Sequence, residues 1–162
     1  MLFSLTVFNT LTIACAILYG ISACLVARPV VRNTQINRQR LWVLLSAITA
    51  VGLHALLVFH SYNVNQVIAN DFFNMLSLVF LVISGLFILS AFSQPIETLA
   101  IIIFPFSAIT VLLNLNNAFP SIPSAQLNSE LQIHIILSIL SYSLLTVAAF
   151  QAILLSLQEK QL

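Results

Sequence analysis

Three histidines are the only side chains in this 162-residue chain whose chemistry stands out: His54, His60 and His134. Imidazole can ligate a metal, bind haem iron axially, move a proton, or sit neutral and hydrogen-bond a neighbouring helix. The four acids, Asp71, Glu97, Glu130 and Glu159, are scattered, and none pairs with another at a spacing suited to acid–base work. There is no nucleophile–base set, no glycine-rich phosphate loop and no Cys-x-x-Cys, so the chain reads as non-enzymatic. Cys15 and Cys24 are nine positions apart in one apolar run, which puts them on opposite faces of a helix, too far apart for a disulfide.

The elements carrying these residues belong in a bilayer. Hydrophobic residues make up 60% of the chain, charged residues 6%, and mean hydropathy is +1.10. A soluble domain is about one quarter charged. The expected fold is all-α: a polytopic membrane helix bundle with five transmembrane helices in a single domain, at about 2–26, 41–59, 73–92, 96–115 and 132–157. The lipid bilayer is its first partner, and nothing points to nucleic acid. Residues 21–24 (ISAC) look like a lipoprotein cleavage box, but no Lys or Arg precedes the apolar run, so the segment is expected to remain as a spanning helix.

Four of the five basic residues, Arg28, Arg32, Arg38 and Arg40, follow the first helix. The positive-inside rule puts that loop in the cytoplasm. With five crossings, the N terminus is then outside and the C terminus inside. In this frame His54, His60 and His134 all fall in the outer half of the membrane or at its outer face. Ala47, Ala50, His54 and Ser61 share one small, polar face of the second helix, with His60 about 120° away. Asp71 falls in a polar outer loop. Ser77, Ser84 and Gly85 are the soft spots of the third helix, and Gly20, Ser22 and Ala23 form a packing patch in the first. Pro95 and Glu97 suit a helix start, and Pro105 should kink the fourth helix.

The fifth helix, from Gln132 to Leu157, is the most informative. His134, Ser138, Ser141, Tyr142, Leu145, Ala149, Ala152 and Ser156 line up along one side. The small and polar members Ser138, Ser141, Ala149 and Ala152 are expected to meet other helices, with Ile136, Leu140, Val147 and Leu154 toward lipid.

Three stretches also resemble a known family. HIILSILSYSLLTVAAFQAILL from His134, QPIETLAIIIFPFSAITVLL from Gln94 and GLHALLV around His54 resemble the cytochrome c assembly proteins of bacterial inner membranes. The nearest branch is the YpjD-like proteins, related to the haem-handling CcsA and HemX group. The resemblance implies an N-terminal five-helix portion of a larger cytochrome c assembly domain. It implies a bacterial inner-membrane location, haem handling during cytochrome c biogenesis, and other cytochrome c assembly proteins as partners. His134 matches the helix-opening histidine taken as a haem ligand in that family, and His54 matches an intramembrane histidine. The chain departs from the haem-handling members in having a single tryptophan, Trp42, instead of a tryptophan-rich outer segment. Two other classes stay open beside it: a non-catalytic membrane subunit that assembles through small-residue faces, and a small transporter with His54 and Pro105 along its path.

Overall fold

The structure is a computed structural model that describes residues 4–31, 40–65, 72–93, 99–115 and 129–159. The chain is all-helical: α1 Leu5–Val31, α2 Arg40–Asn65, α3 Phe72–Ser93, α4 Ala100–Leu113 and α5 Ser129–Glu159. Four of them, all except α4, are long and apolar enough to cross a membrane. Their lipid-facing sides are plain in the exposed stripe Ile13, Ile17 and Ile21 on α1 and in Leu56 and Phe59 on α2. This is a multi-pass membrane protein.

The fourth expected span is shorter than its apolar run suggested. α4 has 14 residues, about 21 Å at 1.5 Å per residue, against a hydrocarbon core of ~30 Å. The helix continues unbroken through Pro105 and is preceded by a buried 3₁₀ residue, Leu99. Pro95 and Glu97, expected to start this helix, lie outside the described residues, as does Asp71.

α1 to α4 form a closed square, α1 packing on α2 and α4, and α3 on the same two. Neighbours run antiparallel, as the contact register shows. On α1 and α2, Ser22 meets Ser46, Cys15 meets Ala50 and Tyr19 meets His54. On α3 and α4, Phe87 meets Phe104 and Ser84 meets Ser107, while Phe73 meets Asn114. The core is made of small residues that allow close approach, such as Ala47, Ala50, Ala91 and Ala100, filled in by Tyr19, Phe87 and Phe104. Gly20 is not part of that packing, since a Cβ there would meet nothing within 4 Å. Ser22 and Ala23 are buried as expected.

Arg40 opens α2 and donates to the Ala91 carbonyl at 2.7 Å. That oxygen belongs to the last turn of α3, where no amide remains to pair with it. A guanidinium there also complements the helix dipole. The α2 and α3 ends are thereby tied together at the edge of the bundle. The loop arginines Arg32 and Arg38 lie outside the described residues.

α5 packs against α3 and stands outside the square. Its contact face is Ile139, Ser143 and Val147, all buried, with the Ser143 hydroxyl 3.5 Å from the Val79 carbonyl on α3. The expected face is corrected here: Ser141, Ala149 and Ala152 are exposed, Ser138 is half-buried, and Val147 points inward instead of toward lipid. Ile136 and Leu140 are exposed as expected, and the Leu154 side chain is outside the described set. The reason is geometric. One neighbouring helix covers only a narrow strip, and the 139–143–147 row is a four-residue ridge that fits α3.

Candidate functional site

The site is built around His54, in the middle of α2. It is 1% exposed, and both ring nitrogens are engaged. Nδ1 lies 3.1 Å from the Tyr19 hydroxyl on α1, and Nε2 lies 2.9 Å from the Ser77 hydroxyl on α3. Three helices are therefore linked through one imidazole. A neutral ring carries one N–H and one lone pair, and each hydroxyl can donate or accept, so all valences are met. In an apolar bundle an unmet polar group costs heavily, which is why His54 sits where two hydroxyls converge.

Sequence reasoning found His54 and its face but not its partners. Ser77 was legible only as a polar interruption in α3. Tyr19 gave one signal, a phenol in the middle of a spanning segment, where a hydroxyl needs a partner. Which helix supplies it depends on interhelical register, which spacing along one chain segment does not encode.

One side of the ring is closed by aromatics. Tyr19 packs against Phe104 at 5.7 Å between ring centroids, and Phe104 meets Phe87 edge-on at 5.3 Å. Beyond them the buried hydroxyls of Ser84 and Ser107 satisfy one another at 2.8 Å. The other side of the ring opens on a cavity of about 20 Å³ toward the end of the bundle where α1 begins and α4 ends. Its polar lining comes from all four helices of the square: Thr12 on α1, His54 and Ser61 on α2, Asn74 and Ser77 on α3, and Asn114 just past α4.

His60 is also inside, 7% exposed, with its ring 5.4 Å from that of Phe8. The spacing put it about 120° from the His54 face, yet it too is enclosed, because α2 continues to Asn65 and carries His60 within the bundle. Flanked by both α1 and α3, α2 has a covered arc wide enough to hold two histidines about 120° apart.

His134 lies apart from this cluster, one and a half turns into α5, on the helix outside the square, and its side chain is exposed. His54 and His134 occupy different environments, one enclosed and hydrogen-bonded, the other open. Cys15 is buried with its thiol 3.4 Å from the Ala50 carbonyl, while Cys24 is exposed, so the two do face opposite ways. Among the described residues, no three His, Cys, Asp or Glu side chains come together as a metal-binding group. The chain matches no family model, no curated protein and no solved structure.

Proposed function

We propose that this chain is a non-enzymatic, multi-pass protein of the bacterial inner membrane that handles haem during cytochrome c assembly. Its N terminus faces the periplasm and its C terminus the cytoplasm. The observation that carries the reading is His134, an exposed imidazole near the start of a spanning helix, in the stretch that resembles the family's haem-ligand helix. An axial ligand must offer iron an unobstructed nitrogen, and an exposed ring does so. The positive end of the α5 dipole lies nearby and would favour a propionate. Tyr142, 67% exposed on the same side, adds an aromatic surface for a flat, apolar ligand.

His54 fits that role less directly. Its lone pair is committed to a hydroxyl, and a space of about 20 Å³ is far too small for a porphyrin. Ligation by His54 would require Ser77 or Tyr19 to move aside. In this reading His134 is the first contact and His54 a second only after rearrangement.

The test is spectroscopic. The chain is expressed with haem supply intact, purified in mild detergent, and its oxidised and reduced spectra are compared with those of His134→Ala and His54→Ala. A b-type spectrum lost in His134→Ala is the expected result. A spectrum unchanged by either substitution rejects both ligands.

A second reading rests on a separate observation: among the described residues α5 packs chiefly against α3, leaving Ser141, Ala149 and Ala152 exposed. A small-residue face of this kind suits a partner helix, such as one from another cytochrome c assembly protein. Crosslinking from cysteine at Ala149, with a lipid-facing position such as Ile17 as control, would separate a partner helix from lipid.

A further inference from the structure

The cavity beside His54 has a size and lining that specify its occupant. We propose that it is a binding site for a single water molecule, entering from the end of the bundle where α1 begins, and that this water connects the His54 ring to the aqueous phase on that side. The inference is independent of haem.

Size comes first. A water needs a cavity of roughly 10–15 Å³ or more and two to four polar partners. The space is about 20 Å³, enough for one water and too little for a larger solute. Chemistry comes next. The Thr12 hydroxyl donates to the Phe8 carbonyl at 2.8 Å, so its oxygen is left as an acceptor. The Asn114 amide nitrogen is directed at the Thr110 and Phe73 carbonyls, at 3.1 and 3.5 Å, which leaves its side-chain oxygen as an acceptor too. An incoming molecule must therefore donate, and water donates twice.

The same logic orders the rest of the chain. With Tyr19 donating to Nδ1, His54 carries its proton on Nε2 and donates to Ser77. The Ser77 proton is then directed onward to the water oxygen. Tyr19, His54, Ser77 and water form one directed row of hydrogen bonds across α1, α2 and α3. At the far end the Tyr19 ring is packed against Phe104, with Phe87 behind it, and its hydroxyl also lies against that of Ser84, which is paired with Ser107. His54 can thus exchange its ring proton with water on one side, while on the other side the Ser84 and Ser107 hydroxyls beyond Tyr19 are fully buried.

Few other groups compete for that proton. Tyr19 and Cys15 on α1 and His60 on α2 are the titratable side chains near this part of the bundle, and the described residues of α3 and α4 contain none.

The experiment is solid-state NMR on the full chain with ¹⁵N-histidine, reconstituted in lipid bilayers. Magnetisation is transferred from mobile water to the histidine rings, and His54 is assigned by its loss in His54→Gln. The expected result is fast water-to-ring transfer at His54 in the wild type, strongly reduced when the cavity is filled by Asn114→Leu or, from another helix, Thr12→Leu. Two substitutions guard against one failing to fold, and the hydrogen-bonded Nδ1 signal reports that the Tyr19 contact survives. Absence of transfer to His54 in the wild type overturns the water site. Undiminished transfer in a folded cavity-filled variant overturns the route.

Discussion

At the scale of single residues, His54 shows what a sequence can and cannot reveal. A histidine within an apolar span must have a reason, and its face, with Ala47 and Ala50, is buried as the spacing indicated. Its partners were hidden because Tyr19 and Ser77 lie 35 and 23 positions away, on other helices. The two bonds to His54 differ in what their loss exposes. Tyr19→Phe removes one hydroxyl and leaves the packing against Phe104 intact, so it should cost about 0.6 kcal/mol, the usual worth of an interhelical hydrogen bond in a membrane. His54→Ala removes both bonds and opens space among well-packed side chains, for a loss of about 2–4 kcal/mol. Steric-trap unfolding in bicelles measures both. Once His54 is gone, Tyr19→Phe should cost less than it does in the wild type, with only the contact of the phenol to Ser84 left to lose. Additive losses would show that the imidazole contributes nothing to holding the phenol.

At the scale of helices, α5 is the element that the sequence described least well. The rule that small and polar residues mark the interface assumes that an interface exists on that side. In α1 and α2, which are flanked by two neighbours each, the rule worked better: Ser22, Ala23, Ala47 and Ala50 are buried, and only Gly20 of the α1 patch stands off the packing. Among the described residues α5 has one main neighbour, α3, and the row 139–143–147 meets it. Ser143 is the tightest point, its hydroxyl donating to Ile139 at 2.7 Å while facing the Val79 backbone. Ser143→Leu should therefore force α5 off α3 at a cost of about 1–3 kcal/mol, the usual penalty of overpacking. Ser141→Leu, one position from the next turn and exposed, should be tolerated within the isolated chain. Spin labels at the exposed positions Leu89 on α3 and Leu155 on α5 would report the difference as a changed interhelical distance in the first variant alone. If Ser141→Leu proves as damaging, a partner covers that face.

At the scale of the whole molecule, the number of helices and their order were legible because long apolar runs leave few alternatives in a bilayer. The extent of α4 was not, since an apolar run sets an upper limit to a helix and does not fix where it starts. Yet α4 lies along α3 from Phe104 beside Phe87 to Asn114 beside Phe73, about two thirds of the length of its neighbour. It is also the most enclosed helix, with Ala100, Ile103, Phe104, Ser107, Thr110 and Val111 buried. A helix surrounded by others can be shorter than the bilayer because its ends meet protein and not lipid. In the proposed topology, antiparallel packing carries the chain across with every helix, α4 included. In that topology the sign comes from the four arginines between residues 28 and 40, which run from the last turn of α1 to the first residue of α2 and as a cluster would resist translocation. Periplasmic-active and cytoplasmic-active reporters fused after Asn37 and after Ser124 should therefore report opposite sides, cytoplasmic at Asn37 and periplasmic at Ser124. Replacing Arg28, Arg32 and Arg38 with Asn should blur both assignments, while leaving Arg40 in place keeps its bond to the Ala91 carbonyl and so separates topology from stability. Reporters giving the same side at both positions would mean that α4 enters the bundle without crossing, and the arrangement of the histidines relative to the two aqueous phases would have to be redrawn.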